Sequence, residues 1–98
     1  MNIVQATAEF TAGLQNIERA IIAKVREAGG TITAKDFKWN QGRNLVPPPR
    51  GAIELEITTQ GKSFNARLSY EQVRDSWQRV ERADVAAGVR NAVAALTH

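Results

Sequence analysis

The sequence predicts an α+β fold: a long N-terminal helix, a three-stranded antiparallel sheet with a tight hairpin (about 52–70), and two C-terminal helices packed on one sheet face. Three patterns carry that expectation. Apolar residues recur at spacings of three and four up to Ala28, alternate with polar residues on both sides of Gln60-Gly61, and return to helical spacing after Ser69. The 98 residues are expected to form a single globular domain, 1–98, large enough for one core.

The first helix should begin at Asn2 or Thr7 and run to Ala28, with Phe10, Leu14, Ile17, Ile21, Val25 and Ala28 on one face. Gly29-Gly30 supplies its stop, because glycine accepts the left-handed conformation beyond a helix end. Gly13 interrupts this helix at a cost of about 1 kcal/mol relative to alanine. It marks either a close backbone approach or a simple weak spot. Ile22 lies off the stripe, as the edge of a broad buried face or as part of a self-association surface.

Thr31–Trp39 reads as a strand, but its alternation breaks. Ile32 and Ala34 share one parity while Phe37 and Trp39 share the other, which calls for a bulge or short turn around Ala34–Asp36. Asn40–Arg50 is a loop, with Pro47-Pro48-Pro49 expected as a stiff polyproline stretch. The hairpin's register follows from parity. An even loop sets Ile57 across from Phe64, Leu55 from Ala66 and Ile53 from Leu68, with Glu54 opposite Arg67 on the other face. Ser69 and Gln72 form a capping-box pattern at the start of the next helix, which should carry Val73, Trp77 and Val80 on one face. Asp84 is the expected cap of a last helix, Val85–Leu96, with Val85, Val89, Ala92, Val93 and Leu96 facing inward.

Composition removes several function classes from consideration. There is no cysteine, so disulfides, thiolate nucleophiles and Cys-ligated zinc are excluded. The only histidine is His98, at a position where chains usually fray, which leaves Ser63, Ser69 and Ser76 without a general base. Glu54 and Glu56 are better read as a solvated sheet face, with Glu54 paired to Arg67, than as an acid–base pair. No metal-ligand spacing occurs, so neither a metal nor a cofactor is expected, and the chain is read as non-enzymatic. No signal-like start or membrane-length apolar run stands out, so a cytoplasmic protein without membrane contact is expected.

The net charge of +3 is unevenly placed. Lys35, Lys38, Arg43 and Arg50 face only Asp36 within the central segment. Together with Trp39, Asn40 and Gln41 they supply cations for phosphate, an aromatic face for stacking and amides for base edges. The other reading of Trp39 is that it folds back to cap the core. Arg74, Arg79 and Arg82 form a second basic set, interleaved with Asp75 and Glu81. The sequence therefore points to a small non-catalytic binding protein that contacts nucleic acid through Lys35, Lys38, Trp39, Arg43, Arg50 and Arg74. The alternative is a protein-interaction module, an inhibitor or adaptor, docking on a larger partner through the same loop. A third reading, a homodimer holding a small anionic ligand between protomers, rests on Ile22 and the alanine-rich last helix. The helix–three strands–helix order is similar in outline to double-stranded-RNA-binding domains. The last helix begins Val85-Ala86-Ala87-Gly88, without the lysine cluster of those domains, so the likeness stops at element order.

Overall fold

The computed structural model describes residues 3–46 and 48–98. Its elements are α1 (Ile3–Glu27), a 3-10 turn (Ala34–Asp36), β1 (Phe37–Trp39), β2 (Ile53–Thr59), β3 (Lys62–Leu68), α2 (Tyr70–Arg74) and α3 (Ala83–Thr97). The strands form one antiparallel sheet in the order β1-β2-β3. The molecule is the expected α+β arrangement of a long first helix, a three-stranded sheet and two later helices.

α1 buries Phe10, Leu14, Ile17, Ile21 and Val25, the stripe that its spacing dictates. Its end is a Schellman motif: the Gly29 amide donates to Arg26 O, the Gly30 amide donates to Val25 O, and Gly29 is left-handed at φ 86°. Ala28 lies beyond the helix and is exposed, so the stripe ends one turn earlier than its spacing implies. Gly13 marks a close approach. A Cβ there would sit 1.9 Å from the Val73 carbonyl oxygen, so only glycine lets α2 lie against α1. Ile22 is half-buried and packs against the core, at the edge of a broad buried face.

The first strand is shorter than its β-branched start implies. Thr31–Thr33 is irregular, and pairing begins only at Phe37. The parity break is resolved by the 3-10 turn, where Asp36 accepts from the Thr33 amide at 3.0 Å. That turn allows Ile32, Phe37 and Trp39 all to be buried.

The hairpin has the register that parity requires: Ile57 opposite Phe64, Leu55 opposite Ala66, Ile53 opposite Leu68 and Glu54 opposite Arg67. Gln60 and Gly61, at φ 51° and 76°, make a two-residue turn with both central residues left-handed, matching the twist of the strands. Apolar side chains of β2 are buried while Glu54, Glu56 and Thr58 face solvent, so only one face of the sheet meets the helices.

The Ser69–Gln72 capping box forms in full, with Ser69 Oγ accepting from the Gln72 amide and Gln72 Oε1 accepting from the Ser69 amide. The helix it starts is a single short one. Ser76, fully buried, donates from Oγ to Gln72 O, and Asn16 on α1 donates from Nδ2 to Ser76 O and Trp77 O. These bonds end α2 and turn the chain, leaving Trp77 exposed instead of in line with Val73. Arg82, not Asp84, holds the N-cap position of α3, and Asp84 sits in its first turn. Val85, Val89, Ala92 and Leu96 are buried and Val93 is half-buried, as the spacing requires.

Candidate functional site

The loop between β1 and β2 is fastened at its base by the two amide side chains expected to read bases. Asn40 donates from Nδ2 to Ala52 O and accepts at Oδ1 from the Glu54 amide. Gln41 donates to Gly51 O and Ala52 O and accepts from the Arg50 amide. Pro47 lies outside the described residues; of the expected polyproline stretch only Pro48, at a bend, and Pro49 are described.

Trp39 is only 8% exposed. Its indole N–H donates to Glu18 Oε2 at 2.8 Å, and Glu18 is itself buried on α1. Arg43 Nη1 donates to both oxygens of the same carboxylate, at 2.7 and 2.5 Å, and Arg43 Nη2 donates to Ala34 O. Thr11 Oγ1 donates to Arg43 O and fixes the loop to α1 a second time. A buried carboxylate without a partner would cost several kcal/mol; the guanidinium and the indole N–H supply its compensation. Trp39 therefore caps the core and is not a solvent-facing stacking platform, and Arg43 is spent largely on Glu18.

The other predicted contact residues divide into two groups. Lys35, Lys38 and Arg50 are exposed, and their side chains make no ion pair among the described residues. Arg74 pairs with Asp75 at 3.2 Å and lies 5.8 Å from the centre of the Tyr70 ring, which stacks on Phe10. Arg82 bridges Asp75 and Asp84, and Arg79 pairs with Glu81, so the second basic set is neutralised by its own neighbours. Hydrogen bonds from Arg82, then Gln72, hold the Asp84 carboxyl down to about 2, and Arg82 lowers Asp75 in the same way. Asp84 and Asp75 in turn raise Arg82.

Two features went unread in the sequence. Glu18 has a signal: it lies four residues after Leu14 and three before Ile21, on the buried face, where a carboxylate demands a cation and a donor. The second is an uncharged apolar surface. Ile3 and Val4 on α1 and Val46 in the loop are more than half exposed and lie on one groove with Thr7, Ala8 and Thr11. Its trace is a second stripe on the first helix, Val4, Ala8, Ala12, at spacing four.

Among the described residues, no group of three or more His, Asp or Glu is placed to hold a metal ion, and no helix is long and apolar enough to cross a membrane. The chain matches no protein-family model, no curated protein and no solved structure.

Proposed function

We propose that this protein is a non-catalytic interaction module of the cytoplasm that docks on a larger protein, receiving an amphipathic helix of that partner along the outer side of α1 and the adjoining loop. The observation that carries this reading is the meeting of Ile3, Val4 and Val46 on one uncharged surface. Helix α1 is about 37 Å long at 1.5 Å per residue, yet its buried residues begin only at Phe10. Two turns of helix therefore stand beyond the core with apolar side chains in water, and exposed apolar patches of that kind mark binding surfaces. Ala8 and Ala12 present little bulk, so a second helix can approach to about 8–10 Å.

The test starts from a partner captured from the source organism's cells in a nuclease-resistant manner, identified and purified. Its Kd should weaken at least tenfold for Val4→Asp with Val46→Asp, while the far-ultraviolet spectrum of the variant stays unchanged. An unaltered Kd overturns the reading.

A second reading, nucleic-acid contact, keeps support from Lys35 and Arg50, which make no ion pair among the described residues, and from Lys38, exposed opposite Glu56 in the β1–β2 register. Its support is thinner because Trp39 and the two amides are already engaged. Binding of labelled DNA or RNA at low salt that disappears on Lys35→Glu, Lys38→Glu and Arg50→Glu would favour it over docking on a protein.

A further inference from the structure

We propose that β3 is a self-association seam, along which a second copy of this chain adds its own β3 antiparallel to make one continuous six-stranded sheet. β3 is the outer strand of the order β1-β2-β3, and its seven residues pair with β2 in unbroken register. It contains neither a bulge nor a proline, two of the devices by which edge strands avoid pairing; its charges are Lys62, at its first position, and Arg67, which pairs with Glu54 on β2. Its outward N–H and C=O groups thus form a regular ladder edge.

Burial across the sheet points the same way. The inward side chains of β2, Ile53, Leu55 and Ile57, are 0–3% exposed, whereas Phe64, Ala66 and Leu68 on β3 are only half-buried. The helices leave the β3 side of the apolar face unfinished. An apolar cavity of about 90 Å³ lies there, with Phe64, Ala66, Leu68, Val85 and Gly88 in its lining. The space beside Gly88 is open, since a Cβ at that position would meet nothing within 4 Å.

The occupant is argued from the strand's own sequence. Apolar face must meet apolar face, so residues paired across a two-fold axis share parity. Centring the axis on Asn65 sets Phe64 opposite the partner subunit's Ala66, and by symmetry Ala66 opposite the partner subunit's Phe64. Large meets small twice, and the incoming ring falls beside the two smallest side chains that line the cavity. On the outer face Ser63 meets the partner's Arg67 and Asn65 meets its own copy, so no like charges are opposed. At each end Lys62, which shares the inward parity, comes opposite the partner's Leu68, so the apolar match lies in the two Phe64–Ala66 pairs about the axis, which a two-fold interface repeats.

The purified 98-residue chain provides the test. Sedimentation equilibrium across the micromolar to millimolar range should show a mass rising to twice 10.8 kDa. Asn65→Lys, at an exposed outer position, brings two lysines together on the axis and should weaken the dimer at least tenfold with circular dichroism unchanged. Because the chain has no cysteine, Asn65→Cys gives a single thiol. Directly opposed Cβ atoms lie about 4.5–5.5 Å apart, close to disulfide separation, so mild oxidation should link two copies, and faster than it links Ser63→Cys. A monomeric mass throughout the range overturns the proposal. So does a dimer indifferent to Asn65→Lys, or oxidation that links Ser63→Cys as readily as Asn65→Cys.

Discussion

The two edges of the sheet have received opposite treatment. At β1, three residues long, Trp39 turns inward, its N–H reaches Glu18, and Arg43 folds over the same carboxylate, while Asn40 and Gln41 tie the following loop back to the start of β2. At β3, seven residues long, the inward side chains are half-buried, the polar ones carry a single exposed ion pair between Arg67 and Glu54, and a cavity opens under the strand. Polar groups at the first edge serve the chain's own cohesion. The second edge is paired on one side only, with β2. The difference teaches that aromatic and cationic content in a loop is no guide to a binding surface until the demand of nearby buried carboxylates is known.

The contrast can be broken most severely at β1. Arg43→Ala leaves Glu18 buried with only the indole N–H for compensation, and chemical denaturation should show a loss of about 3 kcal/mol, toward the low end for a broken buried pair because Arg43 is partly solvated. Trp39→Phe removes a donor to a charged acceptor together with part of a buried ring. About 2 kcal/mol should be lost, read from the same transition. Loss below 0.5 kcal/mol in both variants would mean that this edge is not sealed by the carboxylate. At β3 the corresponding change should be small: Arg67→Ala removes an exposed cross-strand pair 3.0 Å long and should shift stability by about 0.5 kcal/mol.

The smallest expected effect is one of pH, at the start of α3. Asp84 has its pKa lowered in the folded state, from 3.8 to about 2, chiefly by the Arg82 hydrogen bond. A depressed carboxyl contributes stability above its unfolded value, and that contribution is lost as pH falls from 3.8 through about 2. Asp84→Asn should therefore flatten the fall of Tm in this acid window and leave its slope near neutrality unchanged. An unaltered acid slope would show that the Arg82–Asp84 pair is not held in solution.

Much of this architecture was legible in the sequence because it follows from periodicity. The α1 stripe, the hairpin register and the Ser69–Gln72 box each depend on residues within a few positions of one another, where side-chain direction is set by local geometry. The errors arose where a distant group intervened. Asn16, sixty positions away, takes the carbonyl of Ser76, so the helix expected to carry Trp77 ends early and its indole goes outward. Glu18, twenty-five positions before Arg43, claims the guanidinium that the loop's composition had assigned to a ligand. The strand expected from Thr31 has β-branched residues but finds pairing only from Phe37, because the 3-10 turn Ala34–Asp36 takes the preceding residues out of line with β2, which itself runs on to Thr59. Among the candidate contact residues, the exposure of Lys35, Lys38 and Arg50 was readable from composition; the fates of Trp39 and Arg43 required the partner on α1.

Gly13 and Asn16 bind the first helix to Val73, Ser76 and Trp77, segments that leave the ribosome long after it. A nascent chain halted before residue 73 has a helix whose notch and amide find no occupant. Closure of this domain therefore waits on the late arrival of its own tail, so the slow event in maturation should be the joining of early and late segments, not the zipping of the hairpin between them.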